Sequence, residues 1–212
     1  MLPLIPFDHP KLLGDREACA TRLQQINEAH IASLTAFVEA LRAEVGPSAA
    51  IPYFDPWDGG IEAEILFLLE APGPKAVSSS FISRNNPDET AKNFFELSAA
   101  ARIPREKTVV WNSVPWYIGT GSKIRAATPA DLEAGLRPLP RLLELLPKLR
   151  AVVFVGRKAE RAWSQVERLR PELRLFACPH PSPLFVNNSP GNKDRILLVL
   201  RGVAKLLSEA VV

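Results

Sequence analysis

Cysteine is scarce: the 212 residues include only Cys19 and Cys178. Two thiols exclude a disulfide framework, a four-cysteine zinc site and a cysteine-held iron–sulfur cluster, so a reducing intracellular compartment is the expectation. Long apolar runs are also missing. None approaches the roughly 18 residues of a membrane span, and the stretch from Met1 to Asp8 is broken by prolines and an acid before a signal-peptide core could form. A cytoplasmic protein with no membrane association is expected. There is no glycine-rich phosphate loop and no Gly-x-Ser-x-Gly elbow. His9 and His30 lack partner ligands at metal spacing, so they read as surface or helix-face residues, and neither metal nor cofactor is expected.

What is present is ordinary in bulk and unusual in its loops. With 47% apolar and 23% charged residues the chain is long enough to bury a substantial core, which excludes disorder as the overall state. A net charge of +3 and a pI near 9.0 permit nucleic-acid binding without requiring it. The 20 prolines, more than average usage, cluster in loops such as Ile51-Pro-Tyr-Phe-Asp-Pro-Trp57 and Cys178-Pro-His-Pro-Ser-Pro183, stiff loops of the kind on which a site is built.

Apolar residues recur at three- and four-residue steps from about 15 to 45, predicting one long amphipathic helix stopped by Gly46-Pro47. Four short apolar runs follow: Ile65–Leu69, Thr108–Asn112, Ala151–Val155 and Leu173–Ala177. Each is bounded by turn signals and reads as a buried strand. Helical patterns at about 89–101, 129–146 and 157–170 lie between them, and a last one runs from about 193 to 210. Strands alternating with helices imply an α/β fold with three layers, α/β/α, around a four-stranded parallel sheet joined by right-handed crossovers. No internal repeat is present, and a single domain over 1–212, including the helix at 15–45, is expected.

In open parallel sheets ligands gather outside the carboxyl ends of the strands. Those ends read Glu70-Ala-Pro-Gly-Pro74, Asn112-Ser-Val-Pro-Trp116, Gly156-Arg-Lys158 and Cys178-Pro-His-Pro-Ser-Pro183. A carboxylate, an amide and an imidazole therefore converge on one rim.

These segments, in this order at these strand ends, resemble the motifs of the uracil-DNA glycosylase superfamily over roughly 53–206. His180-Pro-Ser-Pro-Leu184 is similar to the family's leucine loop, Asn112 to its uracil-reading asparagine, and Leu69-Glu-Ala-Pro-Gly73 to its water-activating motif in the iron–sulfur form. The resemblance implies removal of uracil from DNA by hydrolysis of its glycosidic bond. Its partners would be uracil-containing DNA, single- or double-stranded, with free uracil as product and a monomer as the working state. A binding module that keeps the pocket without turnover is the alternative.

Chemistry supports these assignments residue by residue. Breaking the bond to the sugar makes uracil an anion and the sugar oxocarbenium-like, so a donor at the base oxygen is needed. His180 can supply it, or it packs as a capping histidine in a proline-rich turn. Asn112 carries an acceptor and a donor in one plane, matching N3–H and O4 of uracil and mismatching cytosine, unless it only bonds its own turn. The resemblance sets Ala71 and Phe81 against the base, with Phe81 stacking on it; the alternative for Phe81 is a core phenylalanine. Ala71 stands where better-known members have a water-orienting aspartate, and Gly73 where they have a tyrosine that blocks thymine. Glu70 then positions water, polarises the sugar, or hydrogen-bonds loop backbone. Ser182 and Leu184 are implied DNA contacts. Leu184 would be a wedge filling the gap left by the flipped nucleotide, or would pack on Phe185 or Val186. Arg157 and Lys158, at a strand-to-helix junction, suit a phosphate or are simply solvated charges.

Overall fold

The computed structural model describes residues 7–209. The Met1–Pro6 part of the signal-peptide reading and the last residue of the expected final helix, Ala210, lie outside them. The chain begins with α1 (Arg16–Leu23), α2 (Ala32–Val45) and β1 (Tyr53–Phe54). It continues through β2 (Ile65–Leu69), α3 (Pro74–Ser79), β3 (Phe81–Ile82), α4 (Glu89–Ala100) and β4 (Thr108–Asn112). A small hairpin, β5 (Gly119–Thr120) and β6 (Lys123–Ile124), precedes α5 (Pro129–Gly135) and α6 (Leu139–Glu144). The last part comprises β7 (Ala151–Val155), α7 (Trp163–Leu169), β8 (Arg174–Cys178), α8 (Pro183–Val186) and α9 (Gly191–Ser208).

The four apolar runs pair into one wholly parallel sheet in the order β4–β2–β7–β8. In β2, Ile65, Leu66, Phe67 and Leu68 are all fully buried. Side chains alternate between faces along a strand, so this uninterrupted burial means that both faces are covered. On one face Phe94 of α4 meets Phe67 edge-on, 4.9 Å between ring centroids. On the other, Trp111, the register partner of Leu68, stacks on Phe54 at 4.1 Å and takes the edge of Phe37 from α2. The expected α/β architecture with helices flanking a four-stranded parallel sheet is therefore what forms.

The helices depart from expectation where tertiary bonds outbid periodicity. The stretch from 15 to 45 is two helices, separated by a turn at residues 24–31. The carbonyl of Ile26 accepts the Thr35 hydroxyl at 2.5 Å, and that of His30 accepts the Ile61 N–H at 2.8 Å. Groups that would have closed the helix ladder are thus committed across the turn and to the 55–61 loop. The pattern at 129–146 breaks into α5 and α6 because Pro138 and Pro140 donate no N–H, and Gly135 lies against the backbone of Ser113. The pattern at 157–170 opens as a 3-10 turn, Ala159–Ala162, before α7.

Candidate active site

A cavity of about 470 Å³ opens at the carboxyl ends of β2 and β4. Its walls come from 69–76 after β2, from the 82–91 loop and start of α4 with Phe94, from Val110 and Asn112 of β4, from 124–126 after the hairpin, and from His180 after β8. The sheet topology produces this convergence: β2 is flanked by β4 and β7, β8 pairs with β7, and their parallel direction sends every carboxyl-end loop to the same rim.

Asn112 ends β4 and is buried, with its side chain on the cavity wall. The backbone around it is pinned, since Ser113 N–H donates to Leu69 O at 2.8 Å and Val114 N–H to Glu70 O at 2.9 Å. His180 enters from the far edge of the sheet. Gly156 at the end of β7 allows this approach: its φ is +89°, and a Cβ there would stand 3.2 Å from the Cβ of His180. Burial pushes the His180 pKa below its usual value, against the opposing pull of the Glu70 and Asp88 charges. Its imidazole is therefore neutral near pH 7 and retains one N–H to donate.

Glu70 and Ala71 also line the cavity. Oε1 of Glu70 accepts the Ala127 N–H at 2.6 Å, and Nζ of Lys158 donates to the Ala127 carbonyl at 2.6 Å. The peptide of Ala127 is thus clamped from both sides. Lys158 directs its ammonium to this clamp, while Arg157 remains exposed. Ser182 caps α8 by accepting the Phe185 N–H. Leu184 stands in solvent at 87% exposure, although Phe185 beside it packs against the core and Val186 is buried. The structure thus brings Glu70, Ala71, Asn112 and His180 to one cavity and sets Leu184 on the loop beyond it.

Phe81 is not on that cavity wall, contrary to the stacking role expected of it. Its ring is fully buried beside Tyr53, 6.4 Å between centroids, in the β1–β3 pair. Strand alternation is the reason, because successive side chains take opposite faces and it is the buried Ile82 that reaches the cavity. The aromatic ring on the wall is Phe94 of α4, which was not singled out from the sequence. Arg84 and Asp88 line the cavity as well and were not singled out from sequence. The only signal for them was their position in the polar loop 83–88, which reads simply as a turn. Among the described residues no cluster of three or more His, Cys, Asp or Glu is arranged to hold a metal, and no helix is long and apolar enough to cross a membrane.

Among solved structures, the chain is similar to SMUG2 of Pedobacter heparinus, with 14% identity and a TM-score of 0.55 over 84% of this chain and 85% of that one. That likeness is one of fold. It also matches a candidate uracil DNA glycosylase of Methanosarcina acetivorans, at 20% identity and a TM-score of 0.49 over 67% of this chain and 91% of that one. A search of curated protein sequences gave no significant match. The family model of the uracil DNA glycosylase superfamily matches residues 56–201, well over half of the chain and every strand end described above, and the chain therefore belongs to the uracil DNA glycosylase superfamily.

Proposed function

We propose that this protein removes uracil from DNA by hydrolysing the bond between the base and the deoxyribose, leaving an abasic site. The observation that carries the proposal is the convergence of Asn112 and His180, from opposite edges of the sheet, on one cavity large enough for a base. A base inside a duplex is out of reach of such a cavity, so the nucleotide must be flipped into it. Asn112 then reads the uracil edge, accepting from N3–H and donating to O4, and cytosine presents the wrong pattern to the same amide. As the glycosidic bond breaks, negative charge grows on the base, and a neutral His180 donates to the base oxygen without giving up its proton. Phe94, with its ring on the wall, is the aromatic available to the base. Leu184, exposed at the tip of its loop, suits the gap left in the duplex, and Ser182 and Arg157 flank that loop and the neighbouring strand end as backbone contacts.

One observation favours a second reading. Ala71 cannot orient water through its side chain, which suits a module that holds uracil or abasic DNA without turnover. A uracil-containing oligonucleotide incubated with pure protein in EDTA, then treated with alkali, separates the two. Strand scission is the expected result; intact DNA together with tight binding would establish the module.

A further inference from the structure

We propose that Asp88, on the wall of the cavity, is the carboxylate that holds and deprotonates the attacking water in the glycosylase reaction, a proposal that rests on the function argued above. With alanine at position 71, a hydrolase in this cavity needs a base from elsewhere. Two carboxylates line the cavity, Glu70 and Asp88. Glu70 has a structural duty, since its Oε1 holds the Ala127 peptide that Lys158 clamps from the other side. Asp88 is the N-cap of the 12-residue α4, with Oδ1 accepting the Ala91 N–H at 2.9 Å. A carboxylate has about four lone-pair sites, so this bond leaves capacity to accept from a water.

The position of Asp88 is fixed relative to the rest of the site. In the loop before it, the Asn86 amide donates to Phe81 O at 2.9 Å and accepts from the Ser79 hydroxyl at 2.6 Å. In the helix after it, Asn93 donates to Pro181 O at 2.9 Å, tying α4 to the residue that follows His180. A general base must keep its distance to the reacting carbon, and these bonds anchor the loop before Asp88 and tie the helix it caps to the backbone next to His180. Burial, the largest influence on Asp88, raises its pKa against the backbone N–H groups at the cap and makes it a stronger base than an exposed aspartate.

The step balances as follows. The C1′–N1 bond breaks with both electrons going to the base, which leaves as an anion held by His180. A water lone pair forms the new C1′–O bond, and the water proton passes to the Asp88 carboxylate. The products are the abasic sugar and, after protonation, free uracil.

Asp88→Asn is the informative substitution, because asparagine caps a helix as well as aspartate does and only the charge is lost. Under single-turnover conditions on uracil-containing DNA the rate is expected to fall by about 10²-fold or more, the ordinary scale for a general base, with binding of the DNA unchanged. Asp88→Gly also tolerates the cap position and leaves space, so added formate is expected to restore part of its rate. Scission by the wild type with Asp88→Asn within twofold of it would overturn the role of Asp88 and leave the glycosylase standing, as would a large loss confined to Glu70→Gln. No scission by the wild type would overturn both.

Discussion

His180 illustrates how burial selects a chemical role for one side chain. An imidazole in water is half charged near pH 6.5, and burial holds this one neutral into more acidic solution. If a charged imidazolium were the donor, excision would fade as the pH rose through its pKa; with a neutral donor the rate does not fall on that account between about pH 6.5 and 8. His180→Ala is expected to lower single-turnover excision by about two to three orders of magnitude, the scale of one oxyanion-type donor, with little change in DNA affinity. A near-normal rate would remove His180 from the mechanism. Asn112 is tested by exchanging one atom. Asn112→Asp replaces an amide donor with an acceptor at the base edge, so uracil excision should weaken and cytosine should become a better substrate relative to it. An unchanged uracil rate, measured beside a matched cytosine oligonucleotide, would end the reading of Asn112 as discriminator.

At the scale of elements, the strands were legible in the sequence because a strand buried on both faces carries its own signature, an unbroken apolar run between turn residues. Ile65–Leu69, Thr108–Asn112 and Ala151–Val155 form where that signature stands, and β8 is displaced by a single residue. Their carboxyl ends carried Asn112 and His180 to the cavity with them. Helices were less legible, since the break between α1 and α2 depends on bonds to the 55–61 loop that no local pattern encodes. Phe81 failed for a related reason: a two-residue strand, buried throughout, gives no periodicity from which to tell which of Phe81 and Ile82 faces the cavity. The four-residue α8 is a favourable contrast. It turns Phe185 and Val186 toward the body of the protein and leaves Leu184 in solvent, so packing of that leucine against its neighbours is not what forms. Flipping a nucleotide from a duplex costs a few kcal/mol that a single strand has already largely given up. Leu184→Ala should therefore slow excision from double-stranded DNA much more than from single-stranded DNA, and an equal drop on both would mean that it supports the loop.

Across the whole molecule, the feature least visible in the sequence is a buried network of charges behind the cavity. Nη1 of Arg22 donates to both oxygens of Asp55 at 2.6 and 2.7 Å, and Nη2 of Arg105 reaches the same carboxylate at 2.5 Å. Nε of Arg105 donates to Asp58 at 2.8 Å, and Arg84 faces Asp58 at 3.7 Å. Partners so far apart in the chain leave no pattern to read. Together they join α1, the 55–58 loop and the segment before β4 to Ser83 and Arg84, which line the cavity. Burial alone would raise the Asp55 pKa, but Arg105 and then Arg22, with bonds from Ser83 and the Trp57 N–H, outweigh it and bring it down to about 2. Removing one partner from a buried ion pair leaves the other uncompensated, so Asp55→Asn is expected to cost about 3–5 kcal/mol of stability near pH 7. Because the native pKa is depressed, the contribution of Asp55 is complete above its unfolded value of about 4 and is lost as the pH falls toward 2. The gap in urea stability between the wild type and Asp55→Asn should accordingly be constant above about pH 5 and close progressively below about pH 4. A gap that stays constant down to pH 2 would mean that Asp55 acts through packing and neutral hydrogen bonds rather than through its charge.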